Sequence, residues 1–202
     1  MLGLPKSTEL NRQLPKKAIY TKFSMNNAAK DKFDADISRI TIVNEISPST
    51  VALAAGKEVS SIYVLLLNLK HKDYDEKVIA QLSNLIEQNM LFVLECGEEV
   101  KLAIYRGKVI STGWMPKDRA TVDLKGLDLD AVWENIIIQI GGIQIEEGHS
   151  LDEQISIDEQ RAKLQKEIDR LEKLARAEKQ PKKKFEIVQK ILQIKRELEE
   201  NK

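Results

Sequence analysis

Six cationic side chains lie close together near the end of the chain, where they could attract negatively charged groups. They are Lys173, Arg176, Lys179, Lys182, Lys183 and Lys184, all within twelve residues. Between positions 161 and 196 there are thirteen Lys and Arg but only five acidic residues, although the whole chain carries 32 of each kind. Such clusters neutralise phosphates, and each contact adds to the salt dependence of binding. The same pattern is typical of an arm that docks on a protein, or of a solvated helix surface with pairs such as Glu178 with Lys182.

A second possible chemistry is metal-dependent cleavage of nucleic acid. Nucleases of the restriction-enzyme type place two acids and a lysine on adjacent strands, so that the carboxylates hold a divalent ion and the lysine steadies the attacking water. Glu45, Glu58 and Lys70 could supply these groups. However, the residue two before Lys70 is Asn68, which is a weaker magnesium ligand than a carboxylate. The alternative to a degenerate nuclease site is that Lys70 is the solubilising end of a buried strand.

The remaining reactive side chains are isolated in the sequence. His71 and His149 have no second His or Cys at metal-ligand spacing, and Cys96 is the only cysteine. Gly141 and Gly142 end a predicted helix and therefore do not form a phosphate loop. We predict no metal site and no cofactor. The single cysteine, the lack of a signal peptide and the lack of a bilayer-spanning apolar segment together predict a cytoplasmic protein with no membrane contact.

The cationic cluster lies at the bend between two amphipathic helices. The apolar residues recur at steps of three and four on both sides of Pro181, which is the spacing of a coiled-coil seam. They are Leu164, Ile168, Leu171 and Ala175, then Ile187, Ile191, Ile194 and Leu198. The pattern predicts an antiparallel helical hairpin over residues 157–202, in which Phe185 also fits the seam. The seam could instead pair with the same seam of a second copy, which would give a homodimer.

The preceding residues predict a mixed sheet flanked by helices. The continuous apolar run Val59–Leu69 is typical of a central strand that is covered on both faces, and three strand-like runs from Met90 to Trp114 indicate a meander. Helices are predicted from Ser7 or Thr8 towards Leu14, over 26–37, through Val78, Ile79, Leu82, Leu85 and Ile86, and over 127–140. Val51 and Leu53 alternate as in a strand. The fold class is therefore α/β or α+β, with a core domain over residues 1–148, a linker over 149–156 and the hairpin.

Several motifs resemble those of a known bacterial family. They are Leu2-Gly3-Leu4-Pro5 with Leu14-Pro15-Lys16, Ser47-Pro48-Ser49-Thr50, Leu69-Lys70, Leu91-Phe92-Val93-Leu94, Trp114, and Gly126-Leu127-Asp128-Leu129-Asp130-Ala131-Val132-Trp133-Glu134-Asn135. The resemblance is to the family labelled domain of unknown function four-three-nine-one, and it covers nearly the whole chain. Members are typically encoded beside helicases and DNA methyltransferases in restriction-like or anti-phage defence loci. The resemblance implies no catalytic residues.

Together these observations predict a non-catalytic accessory subunit of a bacterial defence system. It would dock on a helicase or DNA methyltransferase partner and contact nucleic acid through the six cations. The alternative is a nuclease that uses Glu45, Glu58 and Lys70.

Overall fold

A computed structural model describes residues 2–84 and 88–200, and the chain divides into two compact units, Met1–Ile143 and Gln144–Lys202. The first unit contains a mixed β-sheet with helices, and the second contains two long helices that pack together. The predicted fold class is confirmed.

The first unit contains most of the secondary-structure elements. Its strands are β1 (Glu9–Gln13), β2 (Ile37–Ile46), β3 (Ile62–Leu69), β4 (Asn89–Cys96), β5 (Glu99–Arg106), β6 (Lys108–Ser111) and β7 (Met115–Pro116). Its α-helices are α1 (Lys16–Lys22), α2 (Asn27–Asp36), α3 (Lys77–Ser83) and α4 (Leu129–Gly141). Short 3-10 helices lie at Lys6–Thr8 and Lys117–Arg119.

The sheet has the order β1-β2-β3-β4-β5-β6, and β7 also pairs with β5. Strands β3 and β4 are parallel because α3 connects them, whereas the other pairs are antiparallel. Residues Val64, Leu65 and Leu67 of β3 are completely buried and point to both faces of the sheet. The prediction of a central, doubly covered strand is therefore confirmed, although the strand begins at Ile62 rather than Val59.

Helices cover both faces of this sheet. Ile19 of α1, Phe33 of α2 and Ile79 of α3 share one apolar cluster with Leu65 and Phe92. Helix α4 contacts β5 and β6. A Cβ atom placed on Gly141 of α4 would lie 3.1 Å from the side chain of Ile110 on β6. The adjacent strand residue, Val109, instead packs against the apolar cluster that contains Ile19, Phe33 and Ile79. Because adjacent strand residues point to opposite faces, α4 lies on the other face from α1, α2 and α3.

Two of the predicted elements are wrong. The residues from Ser7 to Leu14 form the edge strand β1 after a short 3-10 turn, since the Leu14 N–H donates to the carbonyl of Ile40 on β2 at 2.9 Å. Val51 and Leu53 lie in turns, and near them only Ala54 forms an isolated bridge, with Asp128. In the first place a hydrogen bond to a distant strand outweighs the local apolar pattern, whereas in the second the N–H groups of Val51 and Leu53 donate to the nearby carbonyls of Ser47 and Val51 within turns.

The predicted helix through Val78 is present as α3, in which Val78, Ile79 and Leu82 are buried. The predicted members Leu85 and Ile86 lie outside the described residues. The predicted helix over 127–140 corresponds to α4. Gly142 ends it in the left-handed conformation with φ of 59°, as is usual for a C-terminal glycine.

Two carboxylates at the start of α4 have different structural roles: one caps the helix and the other holds the loop that precedes β3. Asp128 caps the helix by accepting the Ala131 N–H at 2.9 Å. Asp130 accepts the backbone N–H groups of Lys57, Glu58 and Val59 at 2.6, 3.2 and 2.8 Å. These hydrogen bonds, above all that from Val59, lower the pKa of Asp130. The bonded loop residues cannot join the sheet, which explains why β3 begins after them.

The second unit is the predicted helical hairpin. Helix α5 spans Leu151–Ala177 and helix α6 spans Pro181–Glu200. Ile168, Leu171 and Ala175 of α5 and Ile191 and Ile194 of α6 form a buried cluster, and Leu164, Ile187 and Leu198 pack against it. We call these eight residues the hairpin seam. They are the residues whose spacing predicted it.

The hairpin begins earlier than expected. Residues 151–156 of the predicted linker are helical, because Ser150 and Glu153 form a capping box at the start of α5. The Ser150 hydroxyl accepts the Glu153 N–H, and the Glu153 carboxylate accepts the Ser150 N–H at 2.8 Å.

Two neighbouring residues of α6, one inside the hairpin seam and one outside it, should differ in how much their truncation to alanine destabilises the protein. Ile191 is 7% exposed and Leu192 is 47% exposed. Ile191→Ala should destabilise the α5–α6 packing by about 2 to 5 kcal/mol, because it opens a cavity in the seam. Leu192→Ala should change stability by no more than about 0.5 kcal/mol. Urea unfolding followed by far-ultraviolet circular dichroism measures both, and equal effects would contradict the assignment of the seam.

The loop anchored by Asp130 predicts a pH-dependent contribution to stability. Since the pKa of folded Asp130 is below its ordinary value of 3.8, the contribution is fully present above about pH 3.8 and is lost as pH falls through the folded-state pKa. Asp130→Asn should therefore lower Tm at pH 7, and the difference from wild type should shrink in strong acid. Thermal melts at several pH values test this, with Asp31→Asn on the exposed side of α2 as the control. A difference that does not change with pH would contradict it.

Candidate functional site

The six predicted cations lie together at the end of the hairpin where the chain reverses. Lys173 and Arg176 belong to the final turns of α5, Lys179 lies in the connection, and Lys182, Lys183 and Lys184 form the first turn of α6. All six side chains are exposed. We call this group the basic bend. The hairpin places cations from both helices at one end because the helices are antiparallel and the connection between them has only three residues, 178–180.

Most of the basic bend has no ionic partner. Arg176 lies 3.9 Å from Glu172, at the limit of an exposed ion pair, which contributes little. Among the side chains of residues 2–84 and 88–198, no ion pair involves the other five cations. The pair of Glu178 with Lys182, which would make the bend an ordinary solvated surface, is not formed. The Glu178 carboxylate instead accepts the backbone N–H of Gln180 at 2.8 Å.

The acids along the helices are used away from the bend. Glu172 is also 3.0 Å from Lys195 of the opposite helix. Glu167 binds Arg170 at 2.8 Å, and this hydrogen bond lowers the pKa of Glu167. Nine cations of the hairpin form no ion pair among residues 2–84 and 88–198, and five of these nine belong to the basic bend.

The position of the three lysines on α6 is electrostatically unfavourable for the isolated protein. The N-terminal turn of a helix carries partial positive charge, so Lys182, Lys183 and Lys184 are repelled by the helix as well as by one another. An anion at this end would relieve both repulsions. The arrangement can therefore bind negatively charged groups, with phosphate as the chemically simplest class.

The alternative nuclease residues are not brought together. Glu45 on β2 pairs with Tyr63 near the start of β3, and its carboxylate accepts the Tyr63 hydroxyl at 3.3 Å. Lys70 follows the last residue of β3, seven residues further along, which is roughly 23 Å for an extended strand. Glu58 lies in the loop before β3, where Asp130 accepts its N–H. One metal ion could not contact Glu45 while Lys70 steadied its bound water.

A different acid lies beside Asn68 and was missed in the sequence. Parallel pairing of β3 and β4 puts Glu95 next to Asn68, whose amide donates to the Glu95 carboxylate at 2.9 Å. The Lys117 ammonium lies 3.4 Å from the same carboxylate. Asn68 and Glu95 are 27 residues apart in the chain, so only the pairing register of β3 and β4 shows that their side chains are neighbours. In the part of the chain that the structure describes, no three His, Cys, Asp or Glu side chains are grouped as a metal site requires.

The two histidines are less isolated than the sequence indicated. His71 Nε2 lies 3.3 Å from the carboxylate of buried Asp36, and the same carboxylate accepts the Asp75 N–H at 3.1 Å. These contacts fasten the connection between β3 and α3. In the second unit, His149 Nδ1 lies 3.4 Å from the Gln154 amide oxygen. Both contacts hold chain segments in place.

No helix in the described ranges combines the length and the apolar character that crossing a bilayer requires. The fold and the basic bend define an α+β domain that carries a cationic helical hairpin. A family model described as "Domain of unknown function (DUF4391)" matches residues 2–198, and the chain belongs to this family. The resemblance seen in the sequence motifs is thereby confirmed. Searches of curated proteins and of solved structures gave no match.

The separation of Glu45 from Lys70 predicts the outcome of a cleavage assay. Purified protein is incubated with plasmid DNA and Mg²⁺ or Mn²⁺. We expect no cleavage that depends on Lys70, so wild type and Lys70→Ala should give the same result, because the acid and the lysine cannot share one metal-bound water. Gel electrophoresis of the plasmid measures this. Cleavage by wild type that disappears in Lys70→Ala would contradict the geometric argument and favour the nuclease alternative.

Proposed function

We propose that this protein is a non-catalytic accessory subunit that contacts nucleic acid through the basic bend. The observation that carries the proposal is that five of the six exposed cations at the bend have no ion pair among the described residues. Cations that served only solubility could be paired with acids, as Arg170 is with Glu167 and Lys195 is with Glu172.

The geometry favours contact with phosphates rather than with base edges. Lysine is a flexible point charge, and none of the five lysines presents the planar, bidentate donor set with which arginine reads guanine. Binding through the bend is therefore expected to be independent of sequence and to depend strongly on salt. Six phosphate contacts on duplex DNA would give a slope of roughly −5 for log K against log salt.

The wider role rests on the family resemblance. We propose that the subunit belongs to a restriction-like or anti-phage defence system and docks on its helicase or DNA methyltransferase. A bend that binds the phosphate backbone without reading sequence suits a subunit whose partner supplies specificity or movement. The nuclease alternative finds less support, because Glu45, Glu58 and Lys70 do not converge.

Reversal of charge at the basic bend tests the proposed nucleic-acid contact. Replacing all six cations by glutamate should abolish retention of a short DNA duplex at low salt, because the phosphate contacts become repulsions. Fluorescence anisotropy with a labelled duplex measures the change, and a salt titration of wild type gives the number of contacts.

A matched control separates the local effect from the change in net charge. Six exposed cations of the first unit can be replaced by glutamate in the same way: Lys6, Arg12, Lys17, Lys22, Lys57 and Arg119. This variant should retain most of the binding. Unchanged binding after reversal of the basic bend would reject the proposal, as would equal loss in both variants.

A further inference from the structure

Phe185 is an exposed aromatic residue directly beside the basic bend. The prediction that Phe185 fits the hairpin seam is wrong, because it lies two residues before Ile187 and therefore about 200° around the helix from the seam. Accordingly, 63% of the residue is exposed to solvent and it is absent from the apolar cluster between the helices. It follows Lys182, Lys183 and Lys184 in the first two turns of α6. An aromatic side chain in this position gains nothing from the packing of the hairpin.

Phe185 lies at one end of an open groove on the outer face of α6. The groove has a volume of about 570 Å³, and Phe185 and Leu192 are its apolar members. Its polar members include Gln189, Lys190, Gln193 and Arg196, and Glu186 is the only acid among the described side chains that line it. The groove therefore combines apolar surface, two amides and two cations, and its first residue, Phe185, directly follows the three lysines in the sequence of α6.

We infer that this face of α6 binds single-stranded nucleic acid, with an unpaired base stacked on Phe185 and the neighbouring phosphates held by the lysines of the basic bend. The inference rests on the proposed function and names its substrate class. In a duplex the faces of the bases are already stacked on one another, so only an unpaired base can use an exposed aromatic ring.

The dimensions of the face suit an extended strand. Phe185 and Leu192 are seven residues apart, which is about 10 Å along the helix axis. Both side chains are exposed, and Leu192 offers an apolar surface to a second base. Arg196 lies one turn beyond Leu192 and is exposed, so a phosphate can be held at each end of the groove. Combining aromatic stacking with cationic contacts is how proteins bind single strands without reading their sequence.

The same apolar face could instead receive a helix of a partner protein. That occupant would use the hydrophobic area of Phe185, which leucine also provides, whereas base stacking requires an aromatic ring. Phe185→Leu therefore separates the two. Because Phe185 is exposed and outside the hairpin seam, the substitution should leave the fold intact, which circular dichroism and Tm can verify.

The experiment compares full-length wild type, Phe185→Leu and Phe185→Trp by fluorescence anisotropy, with labelled oligo-dT and a duplex of the same length. Phe185→Leu should weaken binding of oligo-dT by roughly 5- to 150-fold and leave duplex binding unchanged. Phe185→Trp should retain the affinity for oligo-dT, and the indole fluorescence should be quenched on binding. Leu127→Ala, which removes another exposed apolar side chain, is the control and should change neither affinity.

The outcomes separate this inference from the proposed function. If Phe185→Leu binds oligo-dT as tightly as wild type, or loses affinity for oligo-dT and duplex equally, the stacking role is overturned. If reversal of the basic bend abolishes duplex binding in the same assays, the proposed function survives that result. If wild type binds neither nucleic acid, both ideas fail, and the outer face of α6 is left as a protein-docking surface.

Discussion

Burial of the hairpin seam is the constraint on which the functional argument depends. In proteins most of the stability of a helix such as α6 comes from packing one apolar stripe against a neighbour rather than from the helix alone. Ile168, Leu171, Ile191 and Ile194 are each less than 10% exposed, and burying such a side chain contributes roughly 1.5 to 3 kcal/mol. This packing keeps α5 and α6 antiparallel and so brings cations from two sequence segments to one end.

The seam also limits how the protein could associate with itself. A homodimer formed through the seam residues would require α5 and α6 to separate, because these residues are already buried against one another. The surface left free on α6 is its outer face, where Phe185, Val188 and Leu192 are exposed. Any partner of the intact hairpin must therefore contact this outer face, the exposed side of α5 or the basic bend.

Part of the charge along the hairpin is paired, whereas most of the charge at the bend is not. Away from the bend, Glu167 pairs with Arg170 across one turn and Glu172 pairs with Lys195 between the helices. At the bend, Glu178 is occupied by the backbone of Gln180, and the lysines face solvent. Repulsion among these lysines and with the end of α6 is a cost to the free protein that a bound anion would remove.

The sequence by itself determined the elements whose apolar period is long and regular: the hairpin seam, the central strand and the helix that starts at Asp128. It also determined the basic bend, because a helix–proline–helix pattern fixes which residues lie at the turn. The tertiary structure alone decided the first strand, the loop held by Asp130 and the pairing of Glu95 with Asn68, since these depend on hydrogen bonds between residues far apart in the chain. It separated Glu45 from Lys70 for the same reason: strand register sets the distance between them. Phe185 was predicted to fit the seam, but it lies two residues, about 200° around the helix, from Ile187, so the packing of α5 on the Ile187 side of α6 leaves it in solvent.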